Sequence, residues 1–131
     1  MYRYRKRRML EAAEEHFHKG WEYGHDDQYG GFYFALSPDK EVIDTDKNYW
    51  VIAEAIAASA LLGAKTGKKA YWSHYEELFA YASTHFIDHK HGGWHKLVNR
   101  ENERYSGEKS TAPKTDYHPS AACYQAIPAL Q

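Results

Sequence analysis

The sequence predicts an all-α fold of stacked helical hairpins with short β-hairpins between the helices. Three observations carry this. The stretch Asp46 to Gly63, DKNYWVIAEAIAASALLG, is apolar nearly all round and rich in alanine, the best helix former. Lys68 to Asp88 has instead one apolar stripe, Tyr71, Trp72, Tyr75, Leu78, Phe79, Ala82 and Phe86, with His74, Glu76 and Glu77 off it. Finally, two segments repeat: DDQYGGFYF from Asp26 and DHKHGGWHK from Asp88 each give Asp, three residues, Gly-Gly and two ring-bearing residues. Each follows a helix and precedes a short strand, a polar loop and another helix. A repeat of this period fits solenoids and α/α toroids, in which amphipathic outer helices alternate with apolar inner ones.

The elements follow in order. Met1 to Arg8, MYRYRKRR, reads as the solvated first turns of a helix that continues through Met9 to Lys19. Met9, Ala12, Ala13, His16 and Phe17 keep helical spacing and form its expected buried stripe. His16 and His18 stand at i and i+2, the wrong spacing for a metal pair on a helix. Gly20 to Gly31, GWEYGHDDQYGG, is expected to end that helix. Phe32 to Leu36 and Glu41 to Ile43 read as a hairpin around Ser37-Pro38-Asp39-Lys40. The inner helix follows, with Asp46 as expected N-cap and Gly63 or Gly67 as its stop. After the third helix, Trp94 to Val98 reads as a strand and Asn99 to Lys114 as a loop. Tyr117 to Leu130 is the last helix, with Pro119 tolerated in its first turn and Pro128 near its end.

Bulk composition narrows the function. A net charge of −1 points away from nucleic acid and anionic membrane as partners. The inner stretch is too short and alanine-rich for a membrane span. No apolar run follows the basic start, so no secretory leader is expected and the cytoplasm is the expected compartment. The single cysteine, Cys123, allows no internal disulfide and is expected to be a small buried residue. Aromatic residues make up 16% of the chain, twelve of them tyrosine, and rings with polar tips suit a lined cleft.

Glu54 is the isolated carboxylate of the inner helix. A buried carboxylate needs a dedicated partner or a polar cavity. Trp50 precedes it by one turn on the same face. An indole beside a carboxylate suits a sugar, whose C–H face stacks while its hydroxyls donate. The toroid order brings the starts of the inner helices and the hairpins before them to one mouth, and so Trp50, Glu54, Trp94 and His118 to a common cleft. Lys47, Tyr49, Lys114 and Asp116 are rim candidates. His25, His85, His89, His91 and His95 are expected in loops or on the surface, without metal spacing.

The pieces GW…GGFYF, DKNYWVIAEAIAA, TGKKAYWSHYEELFAYASTHFID, GGWHKLV and KTDYHPSAACYQAIPAL, in this order, carry a resemblance. Together they resemble the C-terminal part of the N-acylglucosamine 2-epimerase superfamily, which includes aldose–ketose (mannose) isomerases and cellobiose 2-epimerases. The resemblance runs over the chain after Arg8, and the GW and GGFYF pieces point to the isomerase branch. It implies one domain, residues 1–131, forming the C-terminal part of an (α/α)6 six-hairpin barrel with a funnel-shaped sugar site. It implies an isomerase that works without cofactor or metal on a monosaccharide or disaccharide. His118, in the DYH motif, matches one of two catalytic histidines that exchange a proton next to the sugar carbonyl. Trp50 and Trp94 match stacking aromatics, and Glu54 matches a carboxylate that binds sugar hydroxyls.

The chain departs from that pattern in length. The family barrel needs about twelve helices; four are counted here, and the helix with the family's other catalytic histidine and a nearby arginine are missing. Ile52 replaces a glutamine common in the family. The expectation is a sugar epimerase or aldose–ketose isomerase, or a fragment of one, completed as a homo-oligomer or by a companion N-terminal chain. The alternative is a non-catalytic carbohydrate-binding or remnant scaffold module that oligomerises. A glycoside hydrolase ranks last, because it requires a carboxylate pair across the cleft.

Overall fold

The computed structural model of the protein describes residues 2–109 and 116–131. It contains four helices: α1 (Tyr2–Gly24), α2 (Tyr49–Thr66), α3 (Lys69–His85) and α4 (Tyr117–Ala129). Between them lie β1 (Ala35–Leu36) paired antiparallel with β2 (Val42–Asp44), and β3 (Lys47–Asn48) paired antiparallel with β4 (Leu97–Val98). The strands are shorter than the sequence suggested. The pairing of β3 with β4 ties the start of α2 to the segment after α3, a long-range contact that local pattern does not encode.

α2 is the organising element. Its Ile52, Ile56 and Tyr49 enter a core with Phe32, Leu78, Tyr81, Ala82, Phe86 and Val98. On α4, Ala122 packs on Ala53 and Ala57, small residues that let the two inner helices approach closely. Gly63 does not stop the helix. A Cβ there would come within 2.7 Å of the Trp72 indole, so this glycine admits α3. The stop is Gly67, at φ 71°, whose N–H donates to the Gly63 carbonyl at 2.9 Å. The cap position belongs to Asn48, without a side-chain cap bond, and not to Asp46. Asp46 instead accepts a 2.6 Å hydrogen bond from the Tyr105 hydroxyl.

Three expectations about burial are corrected. α2 is not covered all round: Trp50, Glu54, Leu61 and Lys65 form an exposed stripe. On α1 the half-buried residues are Leu10, Glu14, Phe17, Trp21 and Tyr23, whereas Met9, Ala12, Ala13 and His16 are exposed. α1 also runs through Gly20 to Gly24, because Trp21 is held between Phe32 and His74, with ring centroids 5.4 and 3.7 Å away. His74 thus belongs to the contact between α1 and α3, where burial pushes its pKa down. Cys123 is exposed.

The two Gly-Gly segments fold alike. In the first, the Asp26 amide donates to the Gly31 carbonyl (3.0 Å), the Gly30 amide returns to the Asp26 carbonyl (2.7 Å), and His25 bridges Phe32. In the second, Asp88 and Gly93 (3.0 Å), Gly92 and Asp88 (2.8 Å), and Ile87 and Trp94 repeat these bonds. All four glycines lie at φ 74 to 76°, a conformation that favours residues without a Cβ. The carboxylate of each Asp accepts from two amides of its own turn. The repeat read from sequence is therefore a repeat in structure.

Candidate active site

α4 begins beside the first turns of α2, and this places His118 opposite Glu54. His118 Nδ1 lies 2.7 Å from Glu54 Oε1. The Trp50 indole stands 5.7 Å from the imidazole, centroid to centroid, at an interplanar angle of 35°. Tyr117 covers the ring at 3.8 Å and Tyr49 meets it edge-on at 6.3 Å. Phe34, from the segment before β1, meets Trp50 at 6.4 Å and 86°. The His118 side chain is 19% exposed and that of Glu54 53%, so the pair is reachable from solvent with the imidazole the more enclosed partner. Glu54 is thus not the buried carboxylate expected from the sequence; it is exposed and paired with His118.

This arrangement favours one tautomer of the histidine. A carboxylate accepts hydrogen bonds, so Nδ1 must carry the proton it donates to Glu54. Nε2 is then the ring nitrogen turned away from Glu54.

Three of the four expected site residues are brought together; Trp94 lies apart. It packs half-buried on Ala53, Ala57 and Ala122, 6.5 Å from the Phe86 ring. It also lines an apolar cavity of about 160 Å³ with Ile56, Tyr75, Phe79 and Ile127. Among the described residues its ring meets neither Trp50 nor His118. Of the rim candidates, Lys47 is wholly buried and Tyr49 is buried beneath His118. Asp116 is the residue before α4, and its carbonyl accepts from the Ser120 hydroxyl at 2.9 Å. Lys114 lies outside the described residues. Two of the presumed surface histidines are enclosed: His95 is buried, with Arg104 Nη1 2.8 Å from its Nε2, and the His25 side chain is only 8% exposed. Sequence reasoning missed Phe34 and Tyr117; the adjacency of Tyr117 to His118 was the available signal.

Among the described residues no helix is long and apolar enough to cross a membrane, and no group of three or more His, Cys, Asp or Glu is arranged to hold a metal ion.

Known proteins share both the sequence and the fold of this chain. A D-mannose isomerase of Marinomonas mediterranea is 38% identical over 114 residues, which is 87% of this chain and 28% of that protein. Another, from Pseudomonas cannabina pv. alisalensis, is 31% identical over 96 residues, 72% of this chain and 23% of its own length. A crystal structure of D-mannose isomerase superposes with a TM-score of 0.88 at 36% identity, covering 91% of this chain and 30% of that one. The cellobiose 2-epimerase of Spirochaeta thermophila shares the fold, with a TM-score of 0.77 at 22% identity over 92% of this chain and 32% of that one. The chain therefore spans under a third of the length of these relatives, and its four helices form part of an (α/α)6 barrel. The family profile described as N-acylglucosamine 2-epimerase (GlcNAc 2-epimerase) matches residues 1–122, and the chain belongs to that family.

Proposed function

We propose that the chain carries the histidine half of a sugar isomerase or epimerase site. In this reading His118 exchanges, through Nε2, the proton on the carbon next to the carbonyl of a monosaccharide or disaccharide. Glu54 holds the imidazole and accepts a sugar hydroxyl, and Trp50 stacks on the sugar's C–H face. Trp94 enters only through the helices it packs together. The 2.7 Å contact between His118 Nδ1 and Glu54 Oε1 carries the reading, because it leaves the other nitrogen for proton transfer. The D-mannose isomerase relatives supply the substrate class.

The test is deuterium incorporation at C2 of mannose, glucose or N-acetylmannosamine in heavy water, followed by NMR. Exchange should be measurable with the chain and fall by about 10²- to 10⁴-fold in His118→Ala, the range expected for one acid–base group. Binding of the sugar with no exchange above background would leave a carbohydrate-binding module in place of an enzyme.

A further inference from the structure

Phe34 is an aromatic side chain that core packing does not explain. It is 43% exposed and stays outside the core that Phe32 enters. Among the described residues the one ring it meets is that of Trp50, at 6.4 Å and 86°. Its backbone is held on both sides. The Tyr33 amide donates to the Gly24 carbonyl at 2.9 Å, and Ala35 pairs with Asp44 in the β1–β2 hairpin. The tip of that hairpin is tied to α1, where Lys40 Nζ donates to the Tyr23 hydroxyl at 3.2 Å and lies 4.3 Å from the centre of its ring. Phe34 is therefore a fixed wall at right angles to the indole. The second repeat carries Lys96 at the equivalent position, so the turn itself does not call for an aromatic there.

The place of this wall relative to His118 gives the site a direction. Among the described residues the His118 and Phe34 rings each meet Trp50 and do not meet each other, so the indole lies between them. A ligand spread over the indole has the imidazole at one end and the phenyl ring at the other. In a pyranose the ring atom opposite C2 is C5, which carries the C6 group of a hexose. A sugar with C2 at His118 and its C–H face on Trp50 thus sends C5 and C6 toward Phe34. The phenyl ring has no hydrogen-bonding atom for O6 and packs instead on C–H groups. We propose, on the sugar reading above, that Phe34 is a specificity-determining residue: it packs against the C5–C6 end of the sugar and selects a hexose over the pentose that lacks C6.

Mannose and lyxose test this, because they share the configuration at C2, C3 and C4 and differ in the C6 group. The preference between them is read in dissociation constants by titration calorimetry and in deuterium exchange at C2. The wild-type chain should favour mannose by about 10-fold, the low end of what one carbon group adds in an apolar contact, since Phe34 is half exposed. Phe34→Ala, checked for folding by circular dichroism, should bring the two sugars close to parity by weakening mannose and leaving lyxose unchanged. The wild-type chain tests the same contact without a substitution: 6-deoxymannose, which keeps C6 and loses O6, should match mannose. No preference for mannose, a preference that Phe34→Ala leaves in place, equal losses for both sugars, or 6-deoxymannose falling to the level of lyxose overturns the role of Phe34 while the sugar reading stands. A wild-type chain that neither binds nor exchanges either sugar overturns that reading, and this role with it.

Discussion

The two Gly-Gly turns share backbone, glycine conformation and an Asp held by its own amides, yet they are anchored differently. Each has a lysine the same number of residues downstream, Lys47 after Asp26 and Lys109 after Asp88. Lys47 is fully buried and places its Nζ 3.1 Å from Asp26 Oδ2, 2.7 Å from the Arg100 carbonyl and 3.3 Å from Asn102 Oδ1. Arg100 Nε adds a further contact to Asp26 at 3.3 Å. Lys109 pairs with Asp88 and donates to the Gly92 carbonyl at 2.8 Å, but its side chain is 27% exposed. The same Asp–Lys device is therefore a core element in the first repeat and a surface clasp in the second. Position explains this: Lys47 is the first residue of β3, enclosed where β3 pairs with β4, directly before α2. The Asp26–Lys47 pair thus fixes the start of the helix that carries Trp50 and Glu54.

The largest difference should appear on removing the lysines. Lys47→Met leaves Asp26 buried with a single weaker cationic partner, and breaking a buried pair from one side costs about 3–5 kcal/mol. Lys109→Met should shift the urea midpoint only slightly, because its pair is in contact with water. Urea denaturation of both variants measures this, and equal losses would remove the distinction between core and surface anchor.

The glycines sharpen the same contrast. Gly31→Ala and Gly93→Ala both force a Cβ into the left-handed region at φ 75 and 76°, a cost of about 1–2 kcal/mol. Only at Gly31 would that Cβ meet the Tyr81 ring, at 2.5 Å. Tyr81 has little room to yield, since its hydroxyl donates to Asn102 Oδ1 at 2.6 Å and Asn102 is tied to the Tyr29 carbonyl at 2.8 Å. At Gly93 the nearest contact is the Lys109 stem at 3.9 Å. Gly31→Ala should thus lose about 1–3 kcal/mol more than Gly93→Ala in thermal or chemical unfolding.

What the sequence revealed divides along similar lines. The Gly-Gly repeat, the inner helix and the amphipathic third helix were legible because periodicity and glycine chemistry are local. That His118, Glu54 and Trp50 lie near one another was legible because each stands near the start of an inner helix; the direct contact of His118 with Glu54 was not. The buried role of Lys47 was not, since it depends on β3 meeting β4 and on a loop that supplies Arg100 and Asn102. The exposed stripes of α1 and α2 were misread for a different reason. Apolar periodicity marks a face that seeks a partner, and it does not say whether this stretch of chain contains that partner. The stripe Met9, Ala12, His16 keeps helical spacing and still meets solvent.

The effect confined to the narrowest range of conditions is the pH dependence of the first anchor. Burial alone would raise the Asp26 pKa, but hydrogen bonds from Lys47, the Gln28 amide and Arg100 outweigh it and bring the carboxyl down to about 2. The folded value lies below the unfolded one, near 3.9, so the stabilisation is fully present above about pH 5 and is lost as pH falls through 4 toward 2. The shift corresponds to about 2 kcal/mol at neutral pH, measured as the acid limb of a stability curve from urea melts at successive pH values. Asp26→Asn should flatten that limb between pH 4 and 2. Asp88 is also held below the ordinary carboxylate range, chiefly by its hydrogen bond from Lys109, yet water screens that pair, and Asp88→Asn should leave the limb nearly intact. A limb that follows Asp88 and ignores Asp26 would show that the surface clasp, and not the buried lysine, governs acid stability.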